Sequence, residues 1–289
     1  MEFGLGHVLI FILLIIGIIA VVLILVYQEI NDSLRLKLTL TCDSNIELQT
    51  PSLTLLPKIF NKVAAYEMMV LSLQLTLESG CSRSYDTPSG FNVTAIEGYD
   101  TFAGINRHFG NYLYSSDLEM GVLVFSGTIY PSEWYDDADI KQIAPTNLSN
   151  YSDGILVHRG FYNIYNSMRD RIKELLLEQP PRQQLVITGH SLGAALATLC
   201  YFDLANRENS AILYSLAAPR VGNIPFASFL SQRSQVYRIF NTEDLIPDLP
   251  PPIIFNLIYE HNDNNIAFTS NLESYSKNHT TAYLNFLRT

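Results

Sequence analysis

The chain has 289 residues, 48% of them hydrophobic and 16% charged, enough apolar side chain for one large domain and too much for a disordered chain. Its formal net charge is −10, and no cluster of Lys and Arg occurs along it, which argues against nucleic-acid binding. Three cysteines are too few for a disulfide framework, and without a Cys/His cluster nothing points to a metal.

After a short tail (1–7), the run VLIFILLIIGIIAVVLILV from Val8 to Val26 is apolar throughout. It predicts a transmembrane anchor over 8–27. A cleaved signal peptide would want a positive leading segment, a shorter apolar core and a small-residue cleavage site. Here Glu2 precedes the run without any Lys or Arg, and no A-x-A pattern follows it. Arg35 and Lys37 just beyond the span place the bulk of the chain on the cytoplasmic side by the positive-inside rule. Sequons at Asn31, Asn92, Asn147, Asn150 and Asn278 point the other way, to an exported glycoprotein, each weakly because Asn, Ser and Thr are abundant. The side of the membrane stays open at this level. Cys42 and Cys81 can pair only in an oxidising compartment, whereas Cys200 reads as a buried apolar residue.

Residues 28–57, with Pro51 and Pro57, read as a tether and lead-in, and 58–289 as one folded domain. KIFNKVAAYEMMVLSLQLTL (58–77) has helical spacing and 79–90 reads as a loop. The segments 110–117 and 119–127 predict a hairpin, 131–143 a short helix begun by Ser132, and 144–156 a run of turns. A strong amphipathic helix follows over 160–179, ended by Pro180 and Pro181. From there strands at 184–189, 211–219 and 235–241 alternate with helices at 191–206 and 224–232. That alternation predicts an α/β domain with a mostly parallel central sheet covered by helices on both faces.

The chemistry centres on VITGHSLGA (186–194). Gly189-His190-Ser191-Leu192-Gly193 follows a buried strand and opens a helix, the setting of a nucleophile elbow, with a strained serine held between glycines. The bland alternative is a helix N-cap serine. A serine hydroxyl needs a base, and on such a sheet the partners follow in the order serine, acid, histidine. Asp244, directly after the strand QVYRIFN, is the acid, with Asp248 its rival. His279 near the C-terminus is the base, with His261 its competitor. His158 precedes the elbow and His190 sits inside it, so both read as structural. Oxyanion donors are expected from the Leu192 N–H and from Thr128, at the end of VLVFSGT.

These motifs, with FSGT (125–128), EWYDD (133–137), VHRGFY (157–162), APRVGN (218–223), RIFNTEDLIPDLPP (238–251) and NHTTAYL (278–284), resemble the fungal-lipase-like, class 3 lipase family of α/β-hydrolases. The resemblance implies a Ser191/Asp244/His279 triad, an oxyanion pair of Thr128 and Leu192, and a lid after Thr128 that carries Trp134 and Tyr135. Ser126 replaces the usual arginine of the FRGT motif, and the lid segment is acidic, with Glu133, Asp136, Asp137 and Asp139. The expectation is a membrane-anchored serine hydrolase without cofactor, acting on lipid esters, acylglycerols first. Phospholipase or acyltransferase chemistry is the alternative, and a non-catalytic membrane protein on a hydrolase fold is the reading from another class.

Overall fold

The structure, a computed structural model, describes Cys42 and residues 46–101, 103–128, 140–179, 182–208 and 210–289. The anchor expected over 8–27, most of the tether, and the lid residues Trp134 and Tyr135 lie outside the described residues. Among the described residues no helix is long and apolar enough to cross a membrane.

In chain order the strands are β1 (Asn92–Asp100), β2 (Ile105–Ser115), β3 (Met120–Phe125), β4 (Gln142–Ile143), β5 (Val157–His158), β6 (Gln184–His190), β7 (Ala211–Leu216), β8 (Val236–Asn241), β9 (Ile253–Ile254), β10 (Leu257–Ile258) and β11 (Asn265–Phe268). The helices are α1 (Lys62–Cys81), α2 (Arg159–Glu178), α3 (Leu192–Leu204), α4 (Ile224–Ser231), α5 (Tyr275–His279) and α6 (Thr281–Arg288). Among the described residues, seven strands form the central sheet in the order β1-β2-β3-β6-β7-β8-β11. Only β2 runs against the other six, since β1 and β3 are both antiparallel to it and every later pair is parallel.

Near-continuous apolar runs make the central strands, as expected where both faces are covered. Successive side chains serve opposite layers. Leu123, Phe125, Leu185 and Ile187 pack with α2 and α3. Val122, Val124, Val186 and Tyr214 pack with α1 and α6. Each fully buried Leu or Phe removes enough apolar surface from water for about 2 kcal/mol, so the two layers together supply the driving force for folding. Helix α1 is buried over most of its circumference, from Ala64 to Leu77, because the sheet lies on one side of it and α6 and the lead-in on the other. Its buried hydroxyls are satisfied internally. Ser72 donates to the Met68 carbonyl at 2.8 Å and Thr76 to that of Ser72 at 2.7 Å.

Several elements depart from the sequence reading. The hairpin is present as β2 and β3, but β1 precedes it. Of the inward positions of β1, Ile96, Gly98 and Asp100, only Ile96 is a large apolar side chain, too few for a hydropathy signal. Helix α1 begins at Lys62, capped by the Asn61 side chain on the Ala64 amide at 2.8 Å, and runs into the expected loop. Gln142 and Ile143, expected at the end of a helix, form β4 instead, paired with β5. His279 ends α5, and the chain turns at Thr280 into α6.

Candidate active site

Parallel pairing sets the geometry of the elbow. Phe125 at the end of β3 lies opposite Gly189, and His190 at the end of β6 opposite Leu216. The chain leaving β3 therefore passes over the turn into α3. That turn is so tight that a Cβ on Gly189 would lie 2.1 Å from the Gly193 carbonyl oxygen, and a Cβ on Gly193 would lie 2.3 Å from that of Phe125. Neither position accepts a side chain without moving backbone. Between them Ser191 adopts φ 59° and ψ −126°, a conformation costing about 1–3 kcal/mol for a residue with a Cβ.

Ser191 does not cap α3. Its side chain makes no capping hydrogen bond, although serine at that position ordinarily would. Its backbone is fixed instead, with the amide donating to the Leu216 carbonyl at 3.0 Å and the carbonyl accepting from Ala194 at 3.0 Å. The hydroxyl is left as a buried oxygen without a hydrogen-bond partner among the described residues, an arrangement that costs about 1–3 kcal/mol. Strain and an unmet hydroxyl at one residue point to a function.

Asp244, in the loop after β8, and His279, at the end of α5, come together from 35 positions apart. Asp244 follows β8, and its Oδ2 sits 2.8 Å from His279 Nδ1. The same oxygen accepts from the Tyr283 hydroxyl at 2.8 Å, while Oδ1 accepts from the Ile246 amide at 3.1 Å. The imidazole is therefore oriented through Nδ1, and its Nε2 is buried without a partner among the described residues. The ring lies against that of His190, with centroids 4.4 Å apart, which puts His279 beside the elbow.

A supporting shell surrounds this pair. The Asn241 side chain donates to the carbonyls of Ser270 and Asn278 at 2.8 and 3.1 Å and accepts from the Ser270 amide at 2.9 Å. Asn278 donates to the Glu243 carbonyl at 3.1 Å. Two asparagines thus stitch the acid loop to the histidine loop. Burial holds the His190 imidazole well below its ordinary pKa, with His279 adding to the effect. The neutral ring donates from Nε2 to the His279 carbonyl at 2.7 Å. Burial, then Asp244, push the Tyr283 phenol well above its usual value, so it remains a donor. His190, Asn241, Asn278 and Tyr283 were not singled out from sequence for this shell. The NHTTAYL motif was the available signal for the last two.

The rivals lie elsewhere. Asp248 has an exposed carboxylate, 72% accessible, near Arg220. His261 is held by the Pro247 carbonyl at 2.7 Å and lines a separate cleft with Arg238, Ser215 and Thr198. His158 caps α2, accepting from the Phe161 amide at 3.3 Å.

Of the two expected oxyanion donors, Leu192 is the first residue of α3, where an amide has no acceptor within its own helix. The loop leading to Thr128 lies against the elbow. A Cβ on Gly127 would lie 3.0 Å from the His190 carbonyl oxygen and 3.6 Å from Ser191 Cβ. Thr76 of α1 anchors that loop by accepting from the Gly127 amide at 2.9 Å. Ser126, in place of the usual arginine, is buried and donates to the Gly127 carbonyl at 2.9 Å. Among the described residues no group of acidic, His and Cys side chains is arranged to hold a metal ion.

Residues 122–253 match the family model described as Lipase (class 3). The match includes Ser191 and Asp244 and ends before His279. The secreted mono- and diacylglycerol lipase A of Penicillium cyclopium is 39% identical over 133 residues, 45% of this chain and 42% of that protein. A chloroplastic phospholipase A(1) of Arabidopsis thaliana is 35% identical over 154 residues, 47% of this chain and 34% of that protein. The chain thus spans less than half the length of these curated relatives. Among solved structures, a mono- and diacylglycerol lipase from Aspergillus oryzae is similar with a TM-score of 0.56 at 26% identity, over 71% of this chain and 80% of that one. The mostly parallel sheet between helical layers is the α/β-hydrolase fold of these lipases.

Proposed function

We propose that this chain, whose residues 122–253 match the class 3 lipase model and whose fold is that of fungal lipases, is a class 3 lipase-like serine ester hydrolase acting on lipids, with acylglycerols as its substrate class. The observation that carries this reading is the buried contact between His279 Nδ1 and Asp244 Oδ2 at 2.8 Å, beside a strained serine. Both the serine Oγ and the imidazole Nε2 are buried without partners among the described residues. Before substrate binds, catalytic hydrogen bonds are often long and tighten only in the reacting complex.

In this mechanism Ser191 Oγ attacks the acyl carbonyl and His279 Nε2 takes its proton. Asp244 holds the imidazole with Nδ1 protonated and stabilises the imidazolium as it forms. Tyr283 shares the acceptor oxygen and limits rotation of the carboxylate. The amides of Leu192 and Thr128 receive the oxyanion, each such donor lowering the barrier by about 3 kcal/mol. His279 then returns its proton to the leaving alcohol, and water hydrolyses the acyl-enzyme by the same steps reversed. The apolar run at 8–27 would hold this domain at a bilayer, raising its encounter rate with lipid without a specific headgroup contact.

A phospholipase reading is favoured by the likeness to the plant phospholipase A(1). Fatty-acid release by the full chain from mono-, di- and triacylglycerols and from phosphatidylcholine, beside Ser191→Ala, separates the cases. Acylglycerol hydrolysis lost in Ser191→Ala is the expected result. Hydrolysis of phosphatidylcholine alone moves the substrate to phospholipid, and transfer to an added alcohol in place of water moves the reaction to acyl transfer. Turnover that survives Ser191→Ala overturns the serine mechanism.

A further inference from the structure

The cysteines and sequons that catalysis leaves unused bear on where the domain resides. Cys42 and Cys81, 39 positions apart, form a disulfide with their Cα atoms 5.4 Å apart, within the range a bridge spans. Contacts that need no sulfur hold the lead-in where this bond can form. Ile46 and Leu48 pack on Leu77, one turn before Cys81 at the end of α1. The Gln184 side chain accepts from the Leu56 amide at 2.8 Å and donates to the Leu56 carbonyl at 2.9 Å. The third cysteine, Cys200, is buried and free. Such bonds persist in oxidising compartments.

The described sequons then divide sharply. Asn150 is buried, with Nδ2 donating to the Phe202 carbonyl at 2.5 Å. Asn278 is buried, with both ends of its amide engaged by Glu243 and Leu272. A saccharide on either would have no room in the fold. Asn147 is exposed, but its Oδ1 accepts from the Tyr162 hydroxyl and its Nδ2 donates to Asn166, both at 2.5 Å. Asn92 differs from all three. It is exposed, it opens β1 at the free edge of the sheet, and its side chain makes no hydrogen bond among the described residues. Thr94 completes the sequon on the same strand.

We infer that Asn92 is an N-glycosylation site and that this domain folds on the oxidising, lumenal or extracellular side of a membrane. In the transfer, a bond forms between Asn92 Nδ2 and C1 of the reducing-end sugar of a lipid-linked oligosaccharide pyrophosphate. The sugar–phosphate C–O bond breaks, Nδ2 gives up one proton, and the lipid pyrophosphate leaves. The bridge forms when the thiols of Cys42 and Cys81 pass two electrons and two protons to an oxidoreductase disulfide, which is reduced. In this orientation Arg35 and Lys37 follow the apolar run on its outer side, against the positive-inside rule. A glycan at the edge of β1 also blocks pairing of that edge with a second chain.

The test uses the full chain produced in eukaryotic cells. Peptide N-glycosidase F should increase its gel mobility. Asn92→Gln and Thr94→Ala should abolish that shift, Thr94→Ser should keep it, and Asn150→Gln and Asn278→Gln should leave it unchanged. Alkylation under denaturing, non-reducing conditions should tag Cys200 alone, and all three cysteines after reduction. A chain insensitive to the glycosidase, a shift that persists in Asn92→Gln, or three reactive thiols before reduction would each overturn the inference. None of these readouts depends on ester hydrolysis.

Discussion

Asp203 and Asp244 are both aspartates whose side chains are fully buried, and each accepts a hydrogen bond from a tyrosine hydroxyl, yet their surroundings differ in kind. Around Asp203, in α3, Arg169 donates through two nitrogens at 2.6 and 3.2 Å, the Ser149 amide at 2.6 Å and Tyr165 at 3.1 Å, with Lys173 at 3.5 Å. Burial alone would raise its pKa, but hydrogen bonds from Arg169 and Ser149 outweigh it and hold the carboxylate below its ordinary range. Among the described residues Asp244 has an imidazole, a phenol and one amide as partners. The first network is closed by charge and locks the 144–151 loop onto α2 and α3. The second passes through His279 to a nitrogen without a partner among the described residues. A saturated carboxylate stabilises the fold, whereas one that ends in an unengaged base can move a proton.

Substitutions should separate the two sites. Asp244→Asn should cost catalysis heavily, on the order of 10^4-fold in kcat, because the amide disfavours the tautomer that leaves Nε2 as the base. Steady-state ester hydrolysis measures this, and thermal melting should show a far smaller change. Asp203→Ala should do the reverse. Leaving Arg169 without its partner should lower unfolding free energy by about 3–5 kcal/mol in urea titration, with kcat per folded molecule kept within a few-fold. If Asp203→Ala proves too unstable to purify, Asp203→Asn gives the same comparison in milder form. Tyr283→Phe removes one donor to Asp244 and leaves the backbone amide of Asn241 without its acceptor. About 1–3 kcal/mol of stability should go, with kcat lowered more than KM is raised. The smallest effect is the acid dependence of stability. Since the folded pKa of Asp203 is depressed, its contribution is present above the ordinary carboxylate range and is lost as pH falls through that range toward the folded value. Asp203→Asn should therefore flatten the decline in melting temperature below about pH 4.

The elbow was legible because backbone geometry demands particular residues there. Only glycine fits at 189 and 193, and only a buried strand followed by a helix gives Ser191 its corner. The order of strands and helices from 184 to 241 was legible for a similar reason, since apolar runs and period-3.6 patterns are local signals. Less visible were elements whose identity depends on distant partners. Asn265–Phe268 is short and set among polar residues, and it becomes a strand by pairing with β8. At Gly98 in β1 a Cβ would lie 2.4 Å from Met168 Cγ, so the close approach of α2 explains the glycine only once both elements are in place. Tyr283 and Asn241 reach the acid and histidine loops across about forty residues, a proximity that propensity does not encode. The departures at β4 and at Thr280 are boundary effects, where pairing with β5 and a break before α6 override local preference.

The central claim is that Ser191 is a nucleophile activated through His279. A fluorophosphonate probe, followed by peptide mapping, tests it directly. A single adduct on Ser191 in the wild-type chain, with labelling slowed strongly in His279→Ala, is the expected outcome. An adduct on another residue, or equal labelling rates in the wild type and His279→Ala, would contradict it.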